Sequence, residues 1–167
     1  MEAIHYKPLS QRTVDKQYRN LLDKILKYGN VENTTQGTKA LSLFGHQMRF
    51  PLSNGVPIIT ERNVVSGESS IFYQALGELF GFLNGARTQK ELESYGCRWW
   101  SSWVTERKCN KRGLETGDLG PGSYGPAWAS FPTLEGGGFD QIKHLIEQIN
   151  ELPHLKTHIV TPWIPQY

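Results

Sequence analysis

Residues 69–84 read SSIFYQALGELFGFLN, and apolar side chains recur through them at helical spacing: Ile71, Phe72, Ala75, Leu76, Leu79, Phe80, Phe82 and Leu83. The pattern predicts the longest helix of the chain, apolar around much of its circumference and therefore buried. One residue breaks it. Ile71, Ala75, Glu78 and Phe82 fall at i, i+4, i+7 and i+11, so Glu78 projects from an apolar stripe. A carboxylate there must find partners or take up a proton, and either outcome makes a general acid or base. The alternative is a helix turned so that Glu78 lies just off the buried stripe and reaches water. Periodicity does not separate the two.

Downstream of this helix, aromatic residues gather. Trp99, Trp100 and Trp103 place three tryptophans within five residues. Such density either fills a core or offers wide faces to a flat aromatic ligand. Residues 117–128, GDLGPGSYGPAW, carry Tyr124 and Trp128 on a segment with four glycines and two prolines. That segment is either a linker or a stiff wall, and the Tyr124 phenol offers it a donor, an acceptor and a weak acid. Between these stretches, residues 106–112, ERKCNKR, read as a charged, exposed insertion. Its cations favour a Cys109 thiolate, but no adjacent base marks Cys109 as a nucleophile.

The flanking pattern predicts an amphipathic helix over 13–28, built on Val14, Tyr18, Leu21, Leu22, Ile25 and Leu26 and stopped by Gly29. Strands are expected over 40–50, with a bend at Gly45, and over 56–60 after the turn at 53–55. Gly136, Gly137 and Gly138 read as a flexible joint. Phe139, Ile142, Leu145, Ile146 and Ile149 mark another helix, ended by Pro153. Residues 157–163 read as a strand that Pro162 pushes toward an edge.

Bulk properties bound the function. The 167 residues suffice for one domain with a real core, and 38% apolar with 20% charged residues is ordinary for a globular chain. A net charge of +2 argues against nucleic acid as the main partner. No run of about twenty apolar residues predicts a membrane span, and the N-terminus lacks a signal-peptide pattern. The spacing of Cys97 and Cys109 fits neither a zinc site nor a disulfide framework, so a reducing, cytoplasmic setting is expected. His154 and His158 are four residues apart, but Pro153 argues against a shared helix face, and no metal site is expected.

Taken in order, several motifs resemble one family. They are FGHQMRF at 44–50, Glu78-Leu79-x-x-Phe82-Leu83-x-Gly85, Trp100 with Trp103, Gly117-Asp118-Leu119-Gly120-Pro121, Tyr124-Gly125 and Phe139-Asp140-Gln141-Ile142. Together they are similar to thymidylate synthase and its relatives, the pyrimidine nucleotide hydroxymethyltransferases, from about residue 15 to residue 163. The resemblance implies an α/β (α+β) fold whose bent sheet, with helices packed on one face, forms the interface of a homodimer. It implies transfer of a one-carbon unit from 5,10-methylenetetrahydrofolate to C5 of a pyrimidine nucleotide, by methylation of dUMP or hydroxymethylation of a dUMP- or CMP-type nucleotide. In that family a cysteine thiolate adds to C6 and makes C5 nucleophilic. Glu78 matches a buried glutamate that organises water around the pyrimidine carbonyl. Tyr124 matches a tyrosine near the C5 proton. Trp100 and Trp103 match the pair bordering the folate ring, and Arg62 a basic residue near the folate tail.

The departures carry equal weight. The family's nucleophile lies in a Pro-Cys-His segment past the strand holding Trp163, and neither Cys97 nor Cys109 matches it. Residues 1–167 are therefore expected to form a single domain of this kind lacking the family's C-terminal half. By itself the chain is expected to be inactive and poorly soluble or strictly oligomeric, and to form a homodimer or an assembly with a polypeptide supplying the missing half. Arginines that grip phosphate in the family are replaced by Thr35, Lys156 and Thr157, with Lys39 a candidate substitute. Each lost charge-assisted contact costs roughly 1.5–3 kcal/mol. Gly81 replaces an aromatic, and insertions appear at 63–68 and around 104–116. A non-catalytic binding protein derived from the same fold is the alternative.

Overall fold

The first apolar stripe forms helix α1 (Gln17–Tyr28), in a computed structural model that describes residues 5–59, 63–67 and 70–164. Two units are defined by the chain's internal packing, Met1–Arg62 and Asn63–Tyr167. In the first, α1 begins later than periodicity predicts because its leading residues are used otherwise. Asp15 Oδ1 accepts from the Gln17 N–H at 2.8 Å. Thr13 is held by Asn54, whose Oδ1 accepts the Thr13 N–H at 2.9 Å while its Nδ2 donates back to the Thr13 carbonyl at 2.8 Å.

After Gly29 the chain forms an antiparallel hairpin, β1 (Asn30–Asn33) with β2 (Lys39–Ser42), in the register Val31 opposite Leu41 and Asn33 opposite Lys39. Gly37 closes its turn at φ 76°, a left-handed conformation that glycine adopts without strain. Only four residues, Lys39–Ser42, pair where a longer strand over 40–50 is predicted. Residues 56–59 and 157–163 likewise carry no strand pairing among the described residues. Alternation marks two faces of a strand, but a ladder needs a neighbour's N–H and C=O groups.

The second unit is organised by α2 (Ile71–Leu83), capped by Ser70 Oγ, which accepts the Tyr73 N–H at 3.2 Å. Its buried residues are Gly77, Gly81 and Phe82. Ile71, Tyr73, Leu79 and Phe80 are each about half exposed, so the all-round burial expected of this helix is not what the chain shows. The helix is buried along its glycine face. A Cβ on Gly77 would lie 2.3 Å from the Tyr95 carbonyl oxygen, and one on Gly81 would lie 2.7 Å from Leu92 Cδ2. Glycine therefore lets residues 92–97 pack directly on the helix backbone. Gly81 stands where the resembled family has an aromatic, and Leu92 takes up the space.

Helix α3 (Gln89–Ser94) opens with a capping box in which Thr88 and Glu91 satisfy each other's backbone donors. The segment predicted as an exposed charged insertion is instead helix α4 (Glu106–Asn110), and Cys109 is fully buried. Its charges face outward while Val104, Cys109 and Leu119 join Phe82, Ala86, Leu92 and Cys97 in one core, with Trp100, Leu114 and Trp128 packed against it. Half of the stretch GDLGPGSYGPAW is also helical, as α5 (Tyr124–Ala129). Pro126 sits in the first turn, where a missing N–H costs nothing. The three glycines expected to be a loose joint turn a short hairpin, β3 (Phe131–Pro132) with β4 (Gly138–Phe139).

Helix α6 (Gln141–Glu151) follows, with Asp140 as its cap. Gln141 is buried, and its Nε2 donates to the carbonyls of Ala127 at 2.7 Å and Thr161 at 2.8 Å while Oε1 accepts the Thr161 N–H at 3.0 Å. One amide thus joins α6, α5 and the segment read as a strand. The chain is mixed α/β. Among the described residues its pairing consists of these two hairpins and an isolated antiparallel bridge between Thr88 and Asp118.

The glycine contact gives a direct test. Gly77→Ala should gain about 1 kcal/mol of helix propensity and lose more to the backbone clash, for a net destabilisation of about 2 kcal/mol. The midpoint of urea unfolding checks it.

Candidate active site

Residues 95–100 run off the glycine face of α2 and place two indoles on Glu78. Trp100 Nε1 donates to Glu78 Oε1 at 2.5 Å, and Trp99 Nε1 donates to the same oxygen at 3.0 Å. Glu78 is half-buried. It lies at the margin of the helix's buried face, so the two sequence readings merge: the carboxylate borders solvent and still has partners.

Beside it stands an aromatic cluster centred on Phe82, one helical turn along α2. Phe82 meets Trp100, Tyr124 and Trp128 edge-on, with centroid distances of 5.7, 5.3 and 6.5 Å. Tyr124 is also edge-on to Trp100 at 6.3 Å and stacks on Trp128 at 6.3 Å with 22° between planes. Edge-to-face contacts hold rings at fixed angles because ring edges are positive and faces negative. Gly125 brings α5 into this arrangement: a Cβ there would lie 2.1 Å from the Ala86 carbonyl oxygen. Glu78, Trp100 and Tyr124, singled out from the sequence, are thus brought together by contiguous contacts.

The loop before α5 is fastened by Asp118. Arg87 donates Nε to Oδ1 at 2.8 Å and a terminal nitrogen to Oδ2 at 2.6 Å, and Gly120 N–H donates to Oδ1 at 2.7 Å. The Arg87 guanidinium holds the Asp118 carboxyl below its ordinary value, with the Gly120 N–H adding to the effect against burial. Backbone donors at Arg87 and Thr88 lower Glu91 in the same way.

The remaining expected site residues make none of these contacts. Trp103 is 55% exposed in a 3-10 turn, with Lys108 Nζ 4.5 Å above its ring. Lys156 is exposed in the segment after α6. Thr35 and Lys39 belong to the first unit, both exposed, Thr35 in the hairpin turn and Lys39 at the start of β2. Arg62 lies outside the described residues. Cys97 and Cys109 are free and fully buried. Burial pushes the Cys97 thiol up and the nearby Glu78 charge adds to it, while the Trp99 N–H opposes both. Among the described residues no three His, Cys, Asp or Glu side chains group as metal ligands, and no helix is long and apolar enough to cross a membrane.

Sequence reasoning missed Trp99 as a partner of Glu78, Phe82 as the ring the others share, and Arg87 as the clamp on Asp118. The pair Gly77 and Gly81 was the available signal, since glycines four apart inside a helix mark a close approach.

A carboxylate held by two indole donors thus stands beside a phenol and a set of edge-on rings. The family model described as Thymidylate synthase matches residues 16–167. The chain belongs to the thymidylate synthase family, whose chemistry is methyl transfer of a one-carbon unit in pyrimidine nucleotide biosynthesis.

Two measurements test this geometry. Thiol reagents should label neither cysteine in the native protein and both after denaturation. Fast labelling of either would contradict its burial. Asp118 is held below its ordinary value of 3.8, so its stabilisation is complete above that pH and lost as pH falls through the lowered value. Asp118→Asn should therefore unfold at lower urea than the wild type at pH 7, and the gap should close under acid. Arg87 is 43% exposed, so screening keeps the effect modest.

Proposed function

We propose that residues 1–167, read as one thymidylate-synthase-like domain, supply the proton-handling wall of a site that transfers a one-carbon unit to C5 of a pyrimidine nucleotide, dUMP or a CMP-type relative. The observation that carries this reading is the bond from Trp100 to Glu78 beside Tyr124. Glu78, anchored through Oε1, exchanges a proton with the pyrimidine carbonyl through water. Tyr124 is 40% exposed, so its hydroxyl is available to hydrogen-bond water where the C5 proton departs. The thiolate that adds to C6 comes from a polypeptide segment other than these, because Cys97 and Cys109 are sealed in the core. By this reading turnover, in the cytoplasm, needs a thiolate-bearing segment beside residues 1–167.

Methylenetetrahydrofolate suits the residues present: Trp103 is exposed, and the Lys108 ammonium over its ring offers charge to a carboxylate tail. Trp100, Trp103 and Arg62 would hold it, and when bound it supplies the one-carbon unit. By the resemblance Thr35, Lys39 and Lys156 are the candidates for the nucleotide phosphate, and they offer point charges and a hydroxyl rather than a bidentate fork.

A second reading, a binding protein that does not turn over, is favoured by the buried cysteines and the missing arginine fork. The assay that separates the two is tritium release from C5-labelled deoxyuridine monophosphate. Release should require both methylenetetrahydrofolate and a polypeptide carrying a Pro-Cys-His segment. It should fall by about 10²–10⁴ in Glu78→Gln. Nucleotide binding with no release in any combination would establish the second reading, and release indifferent to Glu78→Gln would remove Glu78 from the site.

A further inference from the structure

The resemblance gives Trp99 no role, yet Trp99 shares an oxygen with Trp100. A carboxylate has about four lone-pair sites, two on each oxygen. The two indole N–H groups occupy both on Glu78 Oε1. Among the described residues no donor reaches Oε2. The terminal torsion of a glutamate is broad and nearly two-fold. A single donor therefore leaves the carboxyl free to swing, whereas two donors converging on one oxygen fix its plane.

The main chain that carries Trp99 is itself fixed. The Arg98 N–H donates to Gln74 Oε1 at 3.0 Å, and residues 95–97 seat against Gly77. The Trp99 ring is 37% exposed and lies outside the core cluster. Its indole N–H is thus held in place without the ring serving as filler.

We propose that Trp99 is a positioning residue for Glu78: with Trp100 it clamps Oε1 between two indole donors and reserves Oε2 for proton exchange. The role in turnover rests on the function proposed above; the clamp does not. Trp99→Phe removes the donor and keeps a ring.

Protein labelled with nitrogen-15 tryptophan reads the clamp directly through its indole N–H resonances. In Glu78→Gln the Trp99 and Trp100 resonances should both move upfield, because a neutral acceptor is weaker. In Trp99→Phe the Trp100 resonance should move downfield, because the shared oxygen then serves one donor. A Trp100 resonance unmoved by Trp99→Phe, or a Trp99 resonance unmoved by Glu78→Gln, would overturn the clamp. In the tritium-release assay with the thiolate-bearing polypeptide, Trp99→Phe should lower kcat about tenfold with KM within about twofold, at an unchanged unfolding midpoint. An unchanged kcat beside a disabled Glu78→Gln would overturn the positioning role. Wild-type turnover in Glu78→Gln would instead sink the proposed function, while the resonances still decide the clamp.

Discussion

Everything at the site depends on one steric allowance, the contact of a loop backbone with a helix backbone at Gly77. A Cβ at that residue would lie 2.3 Å from the Tyr95 carbonyl oxygen and 3.1 Å from the Cys97 nitrogen. Because none is there, residues 95–97 press onto α2 immediately before Glu78. The indoles of Trp99 and Trp100 then arrive within hydrogen-bond reach of its carboxylate. A side chain at Gly77 would push the loop outward and stretch the bonds from the indoles to the acid. The acid would be left to water.

A second close approach completes the geometry. Gly125 lets α5 touch the backbone at Ala86, just past the end of α2. The ion pair between Arg87 and Asp118 holds the loop that leads into α5. These contacts fix the angle at which Tyr124 meets Phe82 and Trp100. The polar and aromatic parts of the site are thus supported by backbone contacts in the middle of one helix and just past its end. Such preorganisation is what proton transfer requires, since a donor or acceptor must stand within hydrogen-bond distance before the reaction begins.

The thiols illustrate the opposite case. Cys109 stands in a charged stretch, where composition argues for exposure and reactivity. The fold turns that stretch into a short helix with its sulfur inward, where it lies 3.5 Å from the Asp118 carbonyl oxygen. Both thiols of this chain are therefore withdrawn from solvent.

Much was legible in the residues themselves. The 3.6-residue period located α1, α2 and α6 to within a few residues, because amphipathic burial is written locally. The family motifs and the isolated acid at Glu78 pointed to the same chemistry. Strands were less legible: residues 40–50 and 157–163 carry the alternation, yet pairing is a property of two segments, and only Lys39–Ser42 found a partner. The order of the aromatic side chains and the presence of a carboxylate among them came from sequence alone. Which indoles reach that carboxylate, and which ring the others share, was decided in three dimensions. Those outcomes rest on glycine-sized gaps between backbones far apart in the chain, and no local pattern encodes the distance between them.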